Sequence, residues 1–128
     1  MNDEIRLWLT YATENLDSAK ILLGQNLLNP CLQNVQQSIE KYLKAILLEK
    51  SNTIRKTHSV AELIRLLAEH QVHIDLTAED CDLLDSIYLP SKYPLGSVLP
   101  DFVPDIPLCR QCIALAERVA ESTLKMFD

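Results

Sequence analysis

Apolar residues recur at three- and four-residue intervals in segment after segment of this chain, and no stretch keeps the two-residue alternation of a half-buried strand. Helices are the structures that bury such a pattern. Ile5, Trp8, Leu9, Ala12, Leu16, Ala19, Leu22 and Leu23 define a first helix, with Gly24 placed to end it. Asn29 and Pro30 read as the N-cap and first residue of a second, which carries Leu32, Val35, Ile39, Leu43, Ile46 and Leu47 inward and ends between Glu49 and Asn52. Ser59 with Glu62 makes a capping box for a third, with Leu63, Ile64, Leu66 and Leu67 inward. Thr77 and Asp80 repeat the signal for a fourth, bearing Leu83, Leu84, Ile87 and Tyr88 and stopped by Pro90. Asp105 caps a fifth, with Pro107 in its first turn and Ile113, Ala116, Val119, Ala120 and Leu124 as its buried stripe.

The expected architecture is all-α, an antiparallel four- to five-helix up-and-down bundle. A chain of 128 residues, 48% of them hydrophobic, fills one core, so residues 1–128 are expected to form a single domain. Pro90, Pro94, Pro100 and Pro104 forbid a continuous helix between Leu89 and Asp105 and predict a long irregular crossing. Crossings of that length in small domains are often functional, which draws attention to Lys92 and Tyr93.

Charge and composition exclude several functions. A formal charge of -6 argues against general DNA or RNA binding, which relies on lysine and arginine neutralising phosphates. No apolar run reaches the roughly 18 residues of a membrane span, and "MNDEIRLW" lacks the basic start and apolar core of a signal peptide. A cytoplasmic protein is expected. Cys109 and Cys112, three apart on a helix, have the spacing to share a metal. Cys31 and Cys81 are isolated in sequence and complete no ligand set, so packing is the reading and no metal or cofactor is expected.

The run "QQSIEKYLKAIL", residues 36–47, carries the most concentrated polar set. Ile39, Leu43, Ile46 and Leu47 keep the core period, while Gln37, Glu40, Lys41 and Lys44 fall near one another on a flank of the same helix. From the residues alone, a solvated face and a site explain this equally well. His58, directly before the third helix, reads either as a helix-entry residue bonded to local backbone or as a group at the mouth of a cleft near Lys41 and Lys44.

Four blocks in order, "ATENLDSAKILL" with Trp8 before it, "QQSIEKYLKAILL", "KTHSVAELIRLL" and "YLPSKYP", resemble the HEPN family across nearly the whole chain. The resemblance implies a helical bundle like the C-terminal domain of kanamycin nucleotidyltransferase. It also implies a homodimer and, in prokaryotes, a small MNT-type nucleotidyltransferase as partner in a toxin-antitoxin-like pair. The first and last helices are expected to supply much of the dimer surface. Some members are metal-independent ribonucleases marked by an arginine and a histidine with four to six residues between them. Arg65 and His70 in "RLLAEH" match that spacing. Leu66 stands where a polar residue is usual, and the pair falls earlier in the bundle than the family's motif. Where relatives often have Arg-Tyr-Pro, this chain has Lys92-Tyr93-Pro94, which keeps the charge and the ring but loses the bidentate fork. The function expected is a dimeric HEPN module with a nucleotidyltransferase partner, its nucleotide held by Gln37, Glu40, Lys41, Lys44, His58, Lys92 and Tyr93. The alternatives are an RNA-cleaving toxin using Arg65 and His70, and a purely structural interaction bundle.

Overall fold

Five helices, and no strand, are present among the residues that the structure, a computed structural model, describes: 2–92 and 103–127, with side chains described for 2–88 and 103–127. They are α1 (Asp3–Gly24), α2 (Leu28–Ser51), α3 (Val60–Glu69), α4 (Ala78–Lys92) and α5 (Ile106–Met126). The architecture is the all-helical bundle that the apolar periods predict.

α2 is its axis. It packs against each of the other four helices and most extensively against α1. Accordingly Tyr42, Leu43, Ala45, Ile46, Leu47 and Leu48 are all buried, so residues 42–48 of α2 are enclosed nearly all round. A helix in that position has no broad solvated face to give its polar residues.

Local chemistry sets most of the boundaries. Asn2 accepts from the Ile5 N–H at 2.8 Å and caps α1. At its end, Leu27 N–H bonds the Leu22 carbonyl and Asn26 N–H the Leu23 carbonyl, closing a Schellman motif. The left-handed residue there is Asn26, with φ of 59°, and not Gly24, which is simply the last helical residue. Ser59 accepts from Glu62 N–H at 3.1 Å, Thr77 and Asp80 exchange bonds at 3.0 Å, and Asp105 accepts from Leu108 N–H at 2.8 Å. These are the predicted starts of α3, α4 and α5.

Three expectations are corrected. α2 begins slightly earlier than the Asn29–Pro30 signal implies, with Leu27 at the N-cap and Pro30 third in the helix. Proline is tolerated there because the first N–H groups of a helix have no intrahelical partner. α4 runs on to Lys92 past Pro90, since a proline so near the end removes one terminal bond without having to be followed by many more. Leu124, expected in the buried stripe of α5, is 41% exposed. Most of the proline-rich crossing, residues 93–102, lies outside the described residues.

Candidate functional site

The polar set of α2 opens into a cleft of about 340 Å³. Gln33, Gln36, Gln37, Glu40, Lys41 and Lys44 line it from α2, with steps of three and four residues that keep them on one stripe. Trp8 of α1, His58 of the α2–α3 connection and Tyr88 of α4 complete the walls. Side chains far apart in sequence therefore meet here because α1, α3 and α4 all pack on the same central helix.

Glu40 is the hub. Its Oε1 accepts from Lys44 Nζ at 3.1 Å and lies 2.8 Å from His58 Nδ1. Glu40 and Lys44 are almost fully enclosed, with side chains 8% and 10% exposed, whereas the His58 side chain is 54% exposed. The carboxylate thus orients the imidazole with Nδ1 inward and Nε2 available to a ligand. The ring also stacks on Tyr88, centroids 5.0 Å apart and planes 18° from parallel. The backbone of His58 is tied to the same wall, because Gln36 Nε2 donates to its carbonyl at 3.2 Å.

Lys41 stands at the other flank. Its ammonium donates to Asn15 Oδ1 at 2.7 Å and Gln37 Oε1 at 3.4 Å, and it lies 5.9 Å from the centroid of the Tyr11 ring. Asn15 is itself held, since its amide nitrogen donates to Asn34 Oδ1 at 3.0 Å and Asn34 donates to the Pro30 carbonyl at 2.9 Å. Partial burial lowers the Lys41 pKa, opposed by Glu40 and Glu14 nearby. Two lysines and a histidine thus face one glutamate in a chain whose formal charge is -6. The lining is a cationic exception, suited to an anion flanked by a planar ring.

Gln37, Glu40, Lys41, Lys44 and His58, singled out in the sequence, all line this cleft. Lys92 is the last residue of α4, and Tyr93 lies outside the described residues. Arg65 and His70 do not line the cleft. Arg65 is on an exposed face of α3 paired with Glu69 at 3.3 Å, and His70 is the helix C-cap. Five residues of α-helix also turn about 140°, so their side chains diverge. Gln33, Trp8 and Tyr88 were not anticipated as lining. Gln33 continues the α2 stripe one turn back and was legible by period, whereas the two aromatics read as core. Asn15, which steers Lys41, carried no signal at all in sequence.

Cys109 and Cys112 point into the core. The Cys109 thiol donates to the Leu28 carbonyl at 3.6 Å, and burial, then the neighbouring Cys109, pushes the Cys31 thiol up to about 12. Among the described residues, no group of three or more His, Cys, Asp or Glu side chains is placed to hold a metal ion. No helix among them is long and apolar enough to cross a membrane.

Comparison with known proteins adds the family. A family model described as the HEPN domain matches residues 5–126. The crystal structure of TT1696 from Thermus thermophilus superposes with a TM-score of 0.77 at 23% identity, covering 97% of this chain and 98% of that one. That of ST0689, an archaeal HEPN homologue, gives 0.64 at 20% identity with both chains fully covered. No curated protein matches the sequence.

Proposed function

The chain belongs to the HEPN domain family, and from that premise we propose that it is a module, catalytically unproven, that binds a nucleotide in the cleft beside α2. In this reading it works as a homodimer with an MNT-type nucleotidyltransferase partner. The observation that carries the binding half is the convergence of Lys41, Lys44 and the His58–Tyr88 ring pair on one cleft of about 340 Å³. That size falls within the roughly 300–1,000 Å³ of small-molecule sites. An ammonium has three donors, and Lys41 commits two to side-chain oxygens, which leaves one for a phosphate oxygen. His58, fixed by Glu40, offers Nε2 beside it. On the sequence resemblance alone, we extend the proposed phosphate-binding set to Lys92 and Tyr93.

Calorimetry with ATP tests this reading. Each lysine–phosphate contact is worth about 1 kcal/mol or somewhat more, so the Lys41→Ala, Lys92→Ala double variant should bind at least about tenfold more weakly than wild type, with a shallower salt dependence. No binding by wild type, or equal binding by both, would reject it. The partner half rests on the family and is tested separately. A nucleotidyltransferase reading frame beside this one in the genome, and a stable complex on co-expression, are the expected outcomes.

A further inference from the structure

The inner wall of the cleft holds a polar group whose needs are half met. Gln36 is only 2% exposed. Its Nε2 donates to the His58 carbonyl at 3.2 Å, while its Oε1 is buried with no hydrogen-bond partner among the described residues. The amide does not gain by turning over, because that would set its oxygen against the His58 carbonyl oxygen. Gln36 therefore holds an acceptor, and only an acceptor, just behind the inner wall of the cleft, enclosed until a neighbouring side chain moves aside.

His58 connects this acceptor to the aromatic wall. Its carbonyl locks Gln36, and its half-exposed ring lies stacked on Tyr88. A ring face for a base and a lone acceptor for that base's edge thus belong to one wall, while Lys41 occupies the other flank. A phosphate oxygen, itself an acceptor, gains nothing from Gln36 Oε1. A ring N–H or an exocyclic amine does.

We infer that Gln36 and the His58–Tyr88 pair form a nucleobase subsite, in which the base packs against the exposed imidazole and donates an N–H from its edge to Gln36 Oε1. This deepens, and rests on, the nucleotide reading above. The subsite takes the base, and the lysines take the phosphates. Because Oε1 is closed off by the lining, the base must displace a neighbouring side chain.

The test compares AMP with purine riboside 5′-monophosphate, which has the same ring system, sugar and phosphate but no N–H on that edge of the base. Calorimetry on the wild-type protein should give about tenfold weaker binding of the analogue, the expected effect of losing one hydrogen bond to an enclosed acceptor. Gln36→Met should lower AMP affinity to the level of the analogue, while ribose 5-phosphate binds wild type and variant alike. Equal affinity of the wild type for AMP and the analogue would overturn the subsite and leave phosphate binding standing. Failure of both nucleotides to bind would overturn both readings. The comparison on wild type needs no substitution, so a poorly folded variant does not spare the inference.

Discussion

Glu40→Gln isolates the electrostatics of the cleft from its shape. The substitution keeps the side chain's size and an acceptor oxygen but removes the charge that Lys44 faces at 3.1 Å. Both partners are nearly enclosed, with side chains 10% and 8% exposed, so the ammonium is left buried without a counter-charge. Breaking a buried pair from one side costs about 3–5 kcal/mol, and the low end applies because the amide still accepts a bond. The His58 contact adds little, since that side chain is 54% exposed and water screens it. For a chain of 128 residues, a loss of about 3 kcal/mol lowers the melting temperature by about 10 °C. Thermal unfolding followed by circular dichroism measures it. The double variant Glu40→Leu, Lys44→Met removes both charges and should recover most of the loss, because an apolar pair of similar volume is often as stable as a buried ion pair. Phosphate binding by Glu40→Gln should meanwhile strengthen, as the one negative group of the lining among the described residues is gone. A melting temperature within about 2 °C of wild type, or a double variant no more stable than the single, would refute this account of the pair.

Asp85→Ala should cost about 1–2 kcal/mol and weaken nucleotide binding, as measured by chemical unfolding and calorimetry, because the α4 carboxylate accepts from Ser59 Oγ, Val60 N–H and Ala61 N–H and so anchors the segment that carries His58. Burial raises the Cys31 and Cys112 thiols from 9.0 to about 12 and Cys81 to about 11. The folded state then keeps protons that the unfolded chain loses above the ordinary thiol value, so stability should be full below that value and fall above it. Each thiol contributes a slope of up to about 1.4 kcal/mol per pH unit. Urea titrations across that range should show a shallower fall in Cys31→Ala. Light scattering at micromolar concentration should give a dimer, with Leu7, Tyr11 and Ile21 of α1 and Met126 of α5 as exposed apolar residues on the first and last helices. Purified wild-type protein should show little RNA cleavage, and Arg65→Ala or His70→Ala should change neither that nor the helical circular dichroism. Cleavage that disappears in His70→Ala would restore the ribonuclease reading.

What the sequence made legible follows from how local each signal is. Capping is a contact across three residues, so Ser59 with Glu62, Thr77 with Asp80, and Asp105 announce their helices within a single turn. The buried stripe of α2 is equally local, since period alone places Leu32, Val35, Ile39 and Leu43 inward. Asp85 could not be read in this way. Twenty-five residues separate it from the Val60 N–H that it caps, and only the packing of α4 on α3 brings them together. Trp8 and Tyr88 misled for a different reason. An aromatic ring half-buried in a wall has the same periodicity as one sunk in a core, and the exposed face that makes it useful leaves no trace in spacing. Pro90 shows the limit of a rule that holds in helix interiors and loosens in the last turn.

The compact polar set on a core helix, undecided between a solvated face and a site, is resolved in part by where α2 lies. Glu40 and Lys44 are not on a solvated face: they sit 6% and 8% exposed on the helix that every other helix packs against. Nor is stability a sufficient reason for them, because an apolar pair of similar volume is often about as stable as a buried ion pair. Their arrangement gives something an apolar pair would not, an imidazole held in one orientation and a local excess of positive charge in a chain of net charge -6. Gln36 repeats the argument with a neutral group, since a buried acceptor without a partner disfavours the empty cleft by about 1–3 kcal/mol and a donor arriving with a ligand recovers it. Stability and binding are then coupled through the same side chains. Saturating AMP should raise the melting temperature of the wild type and should raise that of Gln36→Met by less, because only the wild type has an unsatisfied acceptor for the ligand to meet. An equal rise in the two would separate binding from the buried amide and leave Gln36 a structural tie to the His58 backbone.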